Sequence, residues 1–147
     1  MKSLYRVIIS LLLILFAIFY PMLISIYVFL PLLIGVAGYF FMLGLEKNRF
    51  SYVAISLIYF INLEANLTLP FFLTMITSLL VYMIFFHHLN YFRKCKLCKA
   101  IISVILINHI YLGILLSYDF IFQTNSIFLD NILLYSLVID ILMVVIL

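Results

Sequence analysis

Residues 7–45, VIISLLLILFAIFYPMLISIYVFLPLLIGVAGYFFMLGL, contain no charged side chain. One helix crosses the bilayer core with ~20 apolar residues, within a range of about 17–25, so this stretch is too long for a single crossing. Pro21 and Pro31 bracket a segment whose clearest polar interruption is Ser25. Proline starts or breaks helices. The run therefore divides into a predicted first span over residues 4–20, an apolar turn or interfacial stretch over 21–30, and a second span over 31–46. How this run divides fixes the threading of the rest of the chain.

Outward from it, all eight Lys and Arg fall into three clusters: Lys2/Arg6, Lys47/Arg49 and Arg93-Lys94-x-Lys96-x-x-Lys99. Basic residues near span ends stay on the cytoplasmic side. A third span runs over residues 49–63. Thr68-Leu-Pro70 reads as a helix start, with a capping hydroxyl and a proline in the first turn, and opens a fourth span over 69–90. A fifth follows over 100–118. The polar stretch Asp119–Asp130 is a connecting loop, and the sixth span takes 131–147. Six spans with both termini inside put every basic cluster in the cytoplasm and leave the other side with Glu64, Asp119 and Asp130. One or three spans within 7–45 would split the clusters between the two sides. The predicted fold is thus all-α: one integral membrane domain over 1–147, a six-transmembrane-helix bundle with short loops, N-in/C-in.

Composition agrees. With 69% hydrophobic residues, 9% charged and a mean hydropathy of +1.41, the chain lies far above the roughly half-apolar make-up of soluble domains. A membrane barrel would alternate apolar and polar residues, whereas 7–19 and 101–107 are apolar on both faces. The start resembles a signal peptide, but Phe19-Tyr20-Pro21-Met22 offers no small-residue cleavage site, which predicts an uncleaved first span. A net charge of +3, carried on one side, points to anionic lipid rather than nucleic acid. With no Trp, 15 Phe and 11 Tyr, Tyr is the available interfacial anchor.

Few residues suggest chemistry. Cys95-Lys-Leu-Cys98 has the spacing of a redox pair or half a zinc site, with His87-His88 upstream. Its predicted place is the reducing cytoplasm beside four basic residues, where neither a metal nor a structural disulfide is expected. Asn62, Glu64 and Asn66 lie at the outer end of the third span, either facing water or orienting neighbouring helices at a corner that ends with Pro70. Asp140 is the strongest anomaly. An ionisable group that deep costs ~2.5–3.5 kcal/mol on insertion scales and faces a partner or a cavity. Asn108 and His109, midway along the fifth span, are its nearest candidate partners, and Ser136 shares its helix face. A hydrogen-bonded structural Asp is the plainer reading, a proton relay the sharper one. Thr74, Ser78 and Tyr82, with Thr77 beside them, and Gly35-x-x-Gly38 read as helix-packing stripes. No phosphate loop, nucleophile–base set or hydrolytic carboxylate pair is present, so no enzymatic activity, metal or cofactor is expected.

The middle of the chain, residues 28–92, resembles the MreD family, small membrane proteins of the bacterial rod-shape machinery. The resemblance rests on Pro31-Leu-Leu-Ile-Gly35, Tyr39-Phe40, Glu46-Lys47-Asn-Arg49, Ser56-Leu-Ile-Tyr-Phe-Ile61 and the corner Asn62-Leu-Glu-Ala-Asn66-Leu-Thr-Leu-Pro70. Asn62 stands where the family has aspartate, and the two glycines of the family's corner are absent. The resemblance implies a non-catalytic scaffold of the bacterial inner membrane. Its implied partners are MreC-like and RodA/transpeptidase-like membrane proteins, and its implied role is to support lateral peptidoglycan synthesis and cell shape. On that reading Arg93, Lys94, Lys96 and Lys99 meet cytoplasmic partners or anionic lipid, and residues 62–70 meet the outer-face partner. The alternative is a small-molecule-binding membrane subunit of a vitamin or metal transporter, with Asn62, Glu64, Asn108, His109 and Asp140 lining its pocket. A thiol oxidoreductase is a third reading, and it requires the cysteines outside the cytoplasm.

Overall fold

The computed structural model describes residues 2–27, 29–89, 95–123 and 127–146, and their regular structure is entirely helical. In chain order the helices are α1 (Lys2–Ile26), α2 (Ile34–Glu46), α3 (Phe50–Asn66), α4 (Leu73–Leu89), α5 (Lys96–Phe122) and α6 (Ile127–Ile146). Their number and order match the six predicted spans. Several boundaries differ, and for three of them the structure gives the cause.

The first concerns α1, which continues through Pro21 to Ile26 instead of turning over 21–30. Proline has no N–H, so it leaves the carbonyl four residues earlier without its helical donor. That carbonyl belongs to Ala17, and Asn62 of α3 reaches it with Nδ2 at 3.5 Å while also bonding Ile18 O. A side chain from another helix replaces the missing bond, and α1 has no need to end. The chain then needs residues 27–33 to return, and α2 begins only at Ile34. At 1.5 Å per residue its 13 residues span about 20 Å, well short of a ~30 Å hydrocarbon core.

The second concerns the start of α4. Thr68 does not cap it: its backbone is left-handed (φ 52) and its hydroxyl bonds Leu67 O. With Leu69 N–H donating to Glu64 O at 3.0 Å, it closes α3 as the left-handed residue of a helix C-terminus. The same device ends α2, where Asn48 (φ 49) lets Arg49 N–H reach Gly44 O at 2.9 Å. The third is α5, which runs on to Phe122 and ends at left-handed Gln123. Asp119 is therefore helical, and with α6 beginning at Ile127 so is Asp130, against the predicted Asp119–Asp130 loop. Nothing between 119 and 122 breaks a helix, and the Tyr118 and Phe122 rings pack one turn apart at 4.5 Å.

Short α2 sits at the centre, packed against α3, α4, α5 and α6, while α1 leans on α3. Phe60, Leu63, Ile34, Leu32, Ile107 and Tyr111 form the tightest core, each no more than 1% exposed. Glu46, the last residue of α2, pairs with Lys99 in the first turn of α5 at 2.8 Å, tying that end of α2 to the basic end of the molecule. Among the described residues two helices are long and apolar enough to cross a membrane: Val7–Ile26, mean hydropathy 2.8, and Lys96–Phe122, mean hydropathy 2.1. Only 17% of the first is buried, so its apolar face is not satisfied by its own chain.

Candidate functional site

Because α2 starts inside the bundle, its approach segment brings unpaired backbone groups into an apolar interior. An unpaired buried N–H or C=O costs as much as a lost hydrogen bond. Here these groups are met by side chains from three helices. Leu32 N–H donates to Ser136 Oγ at 3.1 Å. Tyr20 of α1 donates to Pro31 O at 2.9 Å, and Tyr59 of α3 to Leu32 O at 2.6 Å. Gly35 N–H, in the first turn of α2, donates to Asp140 Oδ2 at 2.8 Å. The residue preceding the helix, Leu33, is left-handed (φ 50) and has no capping group, so Asp140 supplies the cap from α6. A carboxyl oxygen there lies where the helix dipole favours an acceptor.

Asn108 of α5 completes this cradle. Its Nδ2 donates to Asp140 Oδ2 at 3.1 Å and to Val104 O at 3.1 Å. Gly35 is required by the close approach, since a Cβ there would lie 2.5 Å from Asn108 Nδ2 and 2.7 Å from Asp140 Oδ2. Asp140 Oδ1 and Asn108 Oδ1 are buried and make no hydrogen bond among the described residues. The sequence pairing of Asp140 with Asn108 is thus found, with Ser136 beside it as its place on the face suggested. Tyr20, Tyr59 and the left-handed Leu33 carried no signal that sequence reading used.

A second buried carboxylate does the same for α4. Glu64, 1% exposed, accepts from Phe72 N–H through Oε2 at 2.6 Å. Its Oε1 accepts from Thr74 N–H at 2.8 Å and from the Thr74 hydroxyl at 2.6 Å. Phe72, like Leu33, is left-handed (φ 66). Pro70 opens this approach three residues before the helix. Of the readings left open for Glu64, it is the one inside the bundle that the structure adopts.

The other predicted residues scatter. Asn62 braces α1, as described, and Asn66 donates to Asn62 O and Oδ1, both at 2.7 Å, which turns the Asn62 amide toward α1. His109 points away from Asp140: it is exposed, with Nδ1 2.9 Å from Ile105 O. Thr77 and Ser78 bond back to carbonyls of their own helix and are fully buried with Thr74. Gly38 lets Ile107 approach to within 2.8 Å of where its Cβ would be. Lys96 is exposed and Lys99 is paired with Glu46, while Arg93 and Lys94 lie outside the described residues. The cysteines correct an expectation. Cys95 is the N-cap of α5 and accepts from Cys98 N–H; with Cα atoms 5.3 Å apart, the two lie within disulfide reach and are joined. The helix start itself brings them together. Asn62, Glu64, Asn108, His109 and Asp140 therefore do not share one pocket. None of the five lines the cavity between α1, α2 and α3 or the two others found near the ends of α1 and α5.

Chemically, both carboxylates accept hydrogen bonds from helix starts, and Glu64 accepts one more from the Thr74 hydroxyl. The class so defined is an all-helical protein with two helices able to cross a membrane, whose buried polar groups close its own helix ends. No protein family matches the chain, and no match is found among curated proteins or solved structures.

Proposed function

We propose that this chain is a non-catalytic scaffold of the bacterial inner membrane, of the MreD kind. It threads the bilayer N-in/C-in through six helical segments, with short α2 and the segment that leads into it together making the second crossing. Irregular backbone at membrane depth is tolerated where protein buries it and satisfies it. The closures by Asp140, Ser136, Tyr20 and Tyr59 meet that condition.

The observation that carries the reading is the use of the buried polar side chains. Asp140, Glu64 and Ser136, with half-buried Asn62, are each engaged with backbone of their own chain. Among the described residues, what this leaves for other molecules includes apolar helix surface, above all α1, the turn bearing Lys47 and Arg49, and exposed Lys96 at the start of α5. Such a molecule works by holding MreC-like and RodA/transpeptidase-like membrane proteins together, and through them supports lateral peptidoglycan synthesis. Depletion in a rod-shaped host is expected to round the cells, and affinity-tagged protein is expected to copurify with an MreC- or RodA-like protein. Unchanged shape with no such partner refutes the proposal. A vitamin-like ligand that copurifies and is lost in Asp140→Ala would support the transporter-subunit reading instead.

A further inference from the structure

The backbones of α1 and α2 stay more than 8 Å apart at every Cα pair; both rest on α3, and the space between them is a groove lined by side chains of both. Its deep end, about 120 Å³, is walled by apolar side chains including Phe16, Ala17, Val36, Ala37 and Phe40. It opens into a wider vestibule of about 1220 Å³ between the first half of α1 and the start of α3, sharing Leu13, Tyr52 and Ile55 with the deep end. Ser10, Ser51 and Arg49 lie at this mouth. The Arg49 guanidinium stands 5.9 Å from the centre of the Tyr52 ring, and no carboxylate lines either part of the groove.

We infer that this groove holds one acyl chain of an anionic phospholipid, with Arg49 against the phosphate. Three features select that occupant. The first is polarity: an apolar slot leads to a single basic mouth, as a lipid has one charged end. The second is length. From Leu4 at the mouth to Ala17 at the deep end, the groove follows α1 for about 20 Å, long enough to take an acyl chain that spans half, ~15 Å, of a ~30 Å hydrocarbon core. The third is charge. Arg49 and the exposed Lys47 occupy the turn at the level where headgroups lie, and anionic headgroups attract juxtamembrane basic residues. The inference rests on the membrane placement proposed above and is independent of the scaffold role. The lipid would fill the space that separates α1 from α2.

Native mass spectrometry of the full chain in mild detergent, titrated with phosphatidylglycerol and with phosphatidylcholine, tests it. One phosphatidylglycerol per chain is expected to stay bound, in preference to phosphatidylcholine. Arg49→Ala is expected to weaken it about fivefold, the effect of one basic residue near an anionic surface. Arg49 makes no side-chain cap on α3, so this variant is expected to fold. Ala37→Phe, which fills the slot, is expected to abolish retention, while Leu134→Phe on the exposed face of α6 leaves it unchanged. Retention indifferent to both Arg49→Ala and Ala37→Phe overturns the inference, as does a cross-link from Leu13→Cys showing a second copy seated in the groove. Extraction of the chain from membranes by alkaline carbonate would instead refute the membrane placement itself.

Discussion

The starts of α2 and α4 share a local plan: Pro31-Leu-Leu-Ile-Gly35 in one, Pro70-Phe-Phe-Leu-Thr74 in the other. In each, two apolar residues follow a proline, the second turns left-handed, and a carboxylate from another helix receives the N–H of the residue two places on. They differ in how the carboxylate is used. Glu64 comes from the helix just before α4 and engages both oxygens, one on each of two backbone N–H groups. Asp140 comes from α6, more than a hundred residues away, and engages only Oδ2, while Tyr20, Tyr59 and Ser136 meet the remaining groups of the α2 approach. One closure is local and concentrated in a single side chain. The other is distributed over three helices, and it joins α1, α3 and α6 to the central helix.

This contrast predicts unequal costs of truncation. Glu64→Ala strands two N–H groups and a hydroxyl, and at ~1–3 kcal/mol for each buried group left without a partner it is expected to destabilise by about 4 kcal/mol. Asp140→Ala strands one N–H and one amide and is expected to cost about 2–3 kcal/mol. Thermal or denaturant unfolding in detergent checks both, and equal losses would erase the distinction. Gly35→Ala probes the distributed closure from its other side. The new methyl meets three atoms closer than 3.0 Å, so a loss of about 2–3 kcal/mol is expected from overpacking. Gly113→Ala is its control. There the space is open, and helix propensity is expected to stabilise by up to about 1 kcal/mol.

The smallest effect concerns the brace between α1 and α3. Asn62→Ala leaves the Ala17 carbonyl without a donor and is expected to cost about 1 kcal/mol. Pro21→Ala restores the helix's own donor to that carbonyl. It is therefore expected to stabilise the Asn62→Ala chain by about 1 kcal/mol more than it stabilises the native one. Additive effects in this double-mutant cycle would show that Asn62 does not compensate for the proline.

The same contrast explains what the sequence revealed. Six helices were legible because the apolar runs are long and the basic clusters punctuate them. Asp140 with Asn108 and Ser136 was legible because a buried ionisable group demands a partner and helical spacing limits the choices. What escaped was non-local. Pro21 reads as a break because its rule is local, whereas the Asn62 amide that repairs it lies on another helix. Thr68 and Pro70 have the look of a cap, but Glu64 supplies that cap from α3. Tyr20 and Tyr59 resemble interfacial tyrosines, and only the fold turns their hydroxyls onto Pro31 O and Leu32 O.

The central claim is that the buried carboxylates serve as helix caps and not as reactive groups. Isosteric substitution tests it most directly, by comparing the unfolding free energies of Glu64→Gln and Asp140→Asn with that of the native chain. A glutamine must set its NH₂ against either Phe72 N–H or Thr74 N–H, so Glu64→Gln is expected to lose about 2 kcal/mol. An asparagine at 140 can keep its oxygen on Gly35 N–H and turn its NH₂ to the Oδ1 side, where it opposes no N–H, so Asp140→Asn is expected to lose only about 1 kcal/mol and to retain whatever activity the native chain has in cells. A loss at Asp140→Asn as large as at Glu64→Gln would contradict the account, as would a stable Asp140→Asn chain that no longer functions.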